Sequence, residues 1–139
     1  MSVPDSPRTF FDTSVLFYLL SDDASKADLV EQLLAQRGVI SMQVLNEFVA
    51  VAMRKLRLPL ADIREILAVV RAVCTVEPVT AATHDRGLDV CERYKFSLYD
   101  SMIVASAMIA GAKVLYSEDM QHGQVLERQL RVVNPFLTR

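Results

Sequence analysis

Four acidic residues sit in company that does not suit a freely solvated carboxylate. Asp12 directly follows Phe10-Phe11, and Glu47 lies within Val44-Leu45-Asn46-Glu47-Phe48-Val49. Asp100 precedes the apolar run that starts at Ser101, and Asp119 follows Ser117-Glu118 after a β-prone segment. Each has a local alternative. Asp12 and Asp119 could cap a following helix by accepting backbone N–H groups, and Ser97-Leu98-Tyr99-Asp100 has the form of a capping box. Glu47 shares a helical face with Val44, Phe48 and Val51, so it needs a partner; a buried Arg would serve, because an unpaired buried charge costs several kcal/mol. Taken together, the four suggest more. Carboxylates gathered in one place raise each other's pKa unless cations neutralise them. Mg²⁺ or Mn²⁺ accepts such oxygen donors and also binds phosphate oxygens. The matching chemistry is metal-assisted phosphodiester hydrolysis, in which one ion activates water and the same or a second ion stabilises the leaving oxygen.

That chemistry requires elements that carry all four acids to one edge. Thr9-Phe10-Phe11 reads as a strand ending at Asp12, and Val39-Ile40-Ser41 as a second, followed by the helix that carries Glu47. Thr75 to Val79, Val114 to Tyr116 and Val132-Val133 supply three more strands. Asp22, Asp23 and Ser25 start a helix that ends at Gly38. Pro59 opens another, with Leu60, Ile63, Leu67 and Val70 at three- and four-residue spacing. Thr80 caps the next, and Asp100 stands in the first turn of the helix over Ser101 to Ala110. Short strands alternate with helices of ten or more residues and no Asn-Gly or Asp-Gly hairpin signal joins them. The pattern therefore favours βαβ units around a short parallel sheet. In such a sheet ligands bind beyond the carboxyl ends of the strands, where Asp12 and Asp119 fall.

Composition narrows the field. The chain has 139 residues, 52% of them hydrophobic, which suits one globular domain over residues 1–139; residues 1–7, with Pro4 and Pro7, read as a flexible leading arm. Fifteen Lys and Arg against seventeen Asp and Glu leave a net charge of −2, too little positive charge for indiscriminate polyanion coating. Four scattered glycines cannot build a dinucleotide or P-loop. Cys74 and Cys91 form no C-x-x-C pair. No signal peptide or membrane span is evident, so a soluble cytoplasmic protein is expected. Arg54, Lys55 and Arg57, with Arg86, Arg93 and Lys95, are candidate phosphate contacts. His84 shares a stripe with Ala81, Leu88 and Cys91 and reads as a boundary or core residue, while Met53, Met102 and Met108 read as core. His122 is either a substrate contact or a solvated helix residue.

The segments Phe10-Phe11-Asp12-Thr13-Ser14-Val15-Leu16, Ser41 to Phe48, Leu98-Tyr99-Asp100-Ser101 through Ala107, and Leu115-Tyr116-Ser117-Glu118-Asp119-Met120 resemble, in order and spacing, the PIN domain family, and within it the VapC-type toxin endoribonucleases. The resemblance covers nearly the whole chain. It implies a three-layer α/β/α sandwich with a short, mainly parallel five-stranded sheet, and Mg²⁺- or Mn²⁺-dependent cleavage of RNA. It further implies Asp12, Glu47, Asp100 and Asp119 as metal-binding catalytic acids, and frequent homodimers often inhibited by a cognate antitoxin. Ser14 matches the family's small hydroxyl residue after the first Asp. Ser117 stands where the last motif usually has Thr, and Glu118 is an additional acid that competes with Asp119 for a second ion. A housekeeping RNA-processing nuclease, or a catalytically silent regulatory protein of the same fold, would share these residues. A phosphohydrolase of the haloacid-dehalogenase type would need D-x-D, which Asp12-Thr13-Ser14 does not supply.

Overall fold

The computed structural model describes residues 8–36 and 38–137; the proposed leading arm, residues 1–7, lies outside them. A mixed six-stranded sheet runs in the order β3-β2-β1-β4-β6-β5, formed by β1 (Thr9–Phe11), β2 (Gly38–Ser41), β3 (Thr75–Glu77), β4 (Val114–Tyr116), β5 (Val125–Leu126) and β6 (Leu130–Val133). The first five positions, β3 to β6, pair in parallel; β5 alone is antiparallel, against β6. Successive residues of β1 and β2 face opposite sides of the sheet, yet Phe10, Phe11, Val39 and Ile40 are all buried. Both faces are therefore covered, as an all-parallel sheet core requires. Helices α1 (Thr13–Leu16), α2 (Ala24–Leu34), α3 (Met42–Arg54), α4 (Leu60–Val73), α5 (Ala81–Tyr94) and α6 (Leu98–Ile109) supply the cover, and a 3₁₀ turn over Phe17–Leu20 follows α1.

The expected α/β sandwich with a mainly parallel sheet is present, with one strand more than the five anticipated. The extra strand, β5, forms a hairpin with β6 that no Asn-Gly signal announces. Its turn places Glu127 and Arg128 in the left-handed region, at φ 53° and 55°. Such backbone is unusual for these residues. Contacts with α5 hold it: Tyr94 Oη both donates to Glu127 Oε2 and accepts from its backbone N–H, each at 3.0 Å, and Arg93 pairs with the same carboxylate at 2.9 Å.

Three further expectations are corrected. No helix follows β4 among the described residues, so Asp119 and His122 lie in loop; the backbone N–H of Asn134 donates to His122 Nδ1 at 3.0 Å. His84 is exposed, because α5 turns Thr83, Gly87 and Val90 inward, a stripe one residue away from the one expected. The close approach of α5 to α6 explains the register: a Cβ on Gly87 would stand 2.4 Å from Met102 Sδ. Met53, anticipated as core, is half exposed.

Gly38 opens β2 against the end of α2. A Cβ there would meet the Leu34 carbonyl oxygen at 2.9 Å and the Phe11 ring at 3.2 Å. One neighbour is backbone and the other a fully buried ring, so neither yields cheaply. Gly38→Ala is expected to cost about 1–3 kcal/mol by overpacking, read as a lower urea midpoint at unchanged m; an unchanged midpoint would refute the tight approach.

Candidate active site

The strand order reverses at β1: the chain passes to β2 and β3 on one side and later returns to place β4 on the other. At such a switch point the loops beyond the strand ends diverge and leave a crevice. A cleft of about 650 Å³ opens there. Asp12 enters it directly after β1, Glu47 from the second turn of α3, Asp100 from the first turn of α6, and Asp119 from the loop after β4. Three of these positions rest on local capping chemistry. Asp12 caps α1 by accepting from the Thr13 N–H at 2.8 Å. Ser41 caps α3, accepting from Val44 N–H at 3.2 Å, and Ser97 caps α6, accepting from Asp100 N–H at 3.2 Å.

Asp12 is the most constrained of the four, with only 3% of its surface exposed. Ser14 Oγ and Ser117 Oγ both donate to its Oδ2, at 2.9 and 2.8 Å. Ser117 is fully buried below the cleft and its oxygen also accepts from the N–H groups of Asp119 and Met120 at 3.2 Å, so one hydroxyl ties the β4 loop to the β1 acid. Glu47 is half-buried rather than enclosed. Among the described residues no buried Arg accompanies it; Thr13 Oγ1 donates to its Oε1 at 2.6 Å, and Gln43 Nε2 reaches its Oε2 at 3.4 Å. Glu118 also lines the cleft, but both its oxygens accept from Tyr18 Oη at 2.9 Å, and its N–H donates to Ser14 Oγ at 3.2 Å. Asp119 is exposed.

The electrostatics of Asp12 show which effect dominates. Its hydrogen bonds to Ser117 and Ser14 favour the carboxylate, whereas burial, followed by the charges of Asp100 and Asp119, disfavours it. Burial wins, and the pKa rises from 3.8 to about 6. Burial also raises Asp100, with Asp119 and Glu47 adding repulsion. Because folding makes Asp12 easier to protonate, its protonation stabilises the fold: the contribution is complete below 3.8 and is lost as pH climbs through about 6. At about 1.4 kcal/mol per unit this amounts to roughly 3 kcal/mol at most. In buffer containing EDTA the melting temperature is therefore expected to be higher at pH 5 than at pH 7.5, with the gap narrowed in Asp12→Asn. A wild-type melting temperature that rises towards pH 7.5 would contradict this account of Asp12.

Among the described residues no salt bridge involves the four acids, and no three His, Cys, Asp or Glu side chains are gathered tightly enough to hold an ion as they stand. The donor set nevertheless fits a hard divalent cation in chemistry: oxygen ligands only, several of them anionic, mutually repelling and partly desolvated. Arg54, at the end of α3, also lines the cleft, whereas Arg86 and Arg93 are engaged elsewhere, with Met108 Sδ and Glu127 respectively. His122 stands outside the cleft. Two site residues, Thr13 and Tyr18, carry no sequence expectation. Thr13 lies within the Asp12-Thr13-Ser14 motif, which could have pointed to it, but the Tyr18 to Glu118 contact spans one hundred positions and has no local signature.

A protein-family model described as PIN domain matches residues 9–125. No curated protein matches the chain. Among solved structures, the chain is similar to VapC20 of Mycobacterium tuberculosis, described as a sarcin-ricin loop cleaving toxin, with 23% identity over 80% of this chain and 89% of that one, at a TM-score of 0.64. A toxin–antitoxin complex from Klebsiella pneumoniae aligns at 20% identity and a TM-score of 0.68, covering 92% and 98% of the two chains. VapBC2 of Rickettsia felis, solved with a DNA fragment from its promoter, aligns at 16% identity and 0.65, covering 90% and 98%. At these identities the likeness is one of fold.

Proposed function

The chain belongs to the PIN domain family, and from that premise we propose that it is a metal-dependent endoribonuclease acting as the toxin of a toxin–antitoxin pair. The observation that carries the reading is the cleft, lined by acids from four separate elements that form no salt bridge among the described residues. Asp12, Glu47, Asp100 and Asp119 would hold one or two Mg²⁺ or Mn²⁺ ions. A divalent ion there supplies positive charge to a phosphodiester as negative charge develops on it. The chain's own groups do the positioning. Ser14 and Ser117 orient the Asp12 carboxylate, and Thr13 orients Glu47, the supporting contacts that metal sites depend on. Tyr18 occupies both oxygens of Glu118, which favours Asp119 as the fourth donor. Arg54, which lines the cleft, would contact a backbone phosphate.

The toxin role draws on the similar structures, described as a toxin and as toxin–antitoxin assemblies. It brings with it a protein antitoxin as inhibitor and a homodimeric assembly, the latter open to sedimentation. No helix among the described residues is long and apolar enough to cross a membrane. Induction of the wild-type chain in growing bacteria is expected to arrest growth, and induction of Glu47→Gln is not. Arrest by both proteins would contradict the acid-dependent mechanism. Growth unaffected by a wild-type protein that cleaves RNA when purified would replace the toxin role with RNA processing.

A further inference from the structure

Beside the catalytic cleft a second depression, of about 890 Å³, continues along α3, and the two share Glu47, Ala50 and Arg54. Its far side is built by Tyr99, in the first turn of α6, and Val79, after β3; Tyr99 has 63% of its surface exposed. Gln43 crosses between the helices, its Nε2 donating to the Tyr99 carbonyl oxygen at 3.1 Å and reaching Glu47 Oε2 at 3.4 Å. The Tyr99 backbone is thus tied to the same side chain that touches a cleft acid, while its ring lines the groove.

We propose that this groove is a subsite for a nucleotide adjoining the scissile phosphate of single-stranded RNA, with the base stacked on Tyr99 and the phosphate held by Arg54. The inference rests on the ribonuclease reading and deepens it by naming a subsite beside the cleft and the residue that positions a base there. Three features support it. The groove is continuous with the cleft, so one chain can occupy both. Arg54 stands at the junction and, among the described residues, makes no salt bridge, which leaves its guanidinium for an anion that must pass the cleft acids. The far side presents an exposed aromatic ring, which stacks on any base and strengthens single-strand binding by roughly 5- to 150-fold per base. Paired A-form RNA keeps its bases stacked inside the helix, out of reach of such a platform. Asn46, exposed on α3, adds an amide at the groove edge.

The test reads binding separately from cleavage. Fluorescence anisotropy in EDTA would give Kd for a short labelled single-stranded RNA and for an abasic oligomer of equal length. Wild type is expected to prefer the base-bearing strand by about tenfold, Tyr99→Phe to keep that preference, and Tyr99→Ala to lose it while binding the abasic strand as before. Retention of the preference in Tyr99→Ala would overturn the proposal, and so would equal weakening towards both strands, because that is the mark of a structural effect. Cleavage with Mn²⁺ tests the parent reading: intact wild-type cleavage beside an unchanged Tyr99→Ala preference overturns the subsite alone. Absence of wild-type cleavage overturns the ribonuclease reading and, with it, the assignment of this groove to a scissile strand.

Discussion

Asp12→Asn is expected to lower Mn²⁺-supported RNA cleavage about 1,000-fold or more while leaving the fold intact. The side chain keeps its size, and the amide oxygen can still accept from Ser117, Ser14 or the Thr13 N–H, so the shape below the cleft persists. The anionic charge at the most enclosed position is lost. Electrostatic stabilisation by a metal contributes several kcal/mol to a hydrolytic transition state, and each 1.4 kcal/mol is tenfold in rate. Asp12→Asn should also be at least as stable as wild type at pH 7.5 in EDTA, because it removes a buried charge that burial and the charges of Asp100 and Asp119 disfavour. A variant that loses activity and stability together would point instead to collapse of the Ser117 network. Steady-state rates combined with thermal melts separate the two outcomes.

Phe48→Ala is expected to have the largest effect on stability, a loss of about 3–5 kcal/mol. Phe48 is fully buried in α3 and its ring stacks on Phe17 with centroids 5.8 Å apart. Removing it leaves a cavity between α3 and the 3₁₀ turn, two segments held by different parts of the chain, so neither can simply collapse into the space. Small domains have about 5–15 kcal/mol in total, so denaturant unfolding should show a midpoint lowered by about a fifth or more. The neighbouring residue is Glu47, and a loosened α3 should weaken its hold on Thr13, lowering activity even in the folded fraction. A loss under 1 kcal/mol would mean that α3 is fixed by contacts other than this ring.

Much of the frame was legible because short-range chemistry and tertiary demand agree. At β1, β2 and β4, brief β-prone runs end at Asp12, Ser41 and Ser117, and a helix cap follows the first two at once. At α6, Ser97 and the charge-free run after Asp100 mark a helix start. Where local signal and tertiary contact part, reading failed. The β5–β6 hairpin turns on Glu127 and Arg128, whose left-handed backbone is held by Tyr94 and Arg93 from another helix. The buried stripe of α5 follows the close approach of Gly87 to Met102 rather than the spacing of its larger apolar residues. The setting of Glu47 was half legible. Its proximity to Val44 and Phe48 signalled an unusual carboxylate, but it lies at the edge of the buried stripe, and its partner is the Thr13 hydroxyl, thirty-four residues away, rather than a buried Arg. The loop after β4 shows the same limit: Asp119 needs no helix behind it, because Ser117 Oγ organises the turn by accepting from two backbone N–H groups.

The claim that the four acids work through a divalent ion meets its most direct test in one assay. Protein stripped with chelator is mixed with single-stranded RNA, and cleavage is followed as Mn²⁺ is returned. The account predicts no cleavage before the addition, recovery that saturates with Mn²⁺ for the wild type, and no recovery for Asp12→Asn at the same concentrations. Cleavage that persists in excess chelator, or that proceeds equally in Asp12→Asn, would contradict it.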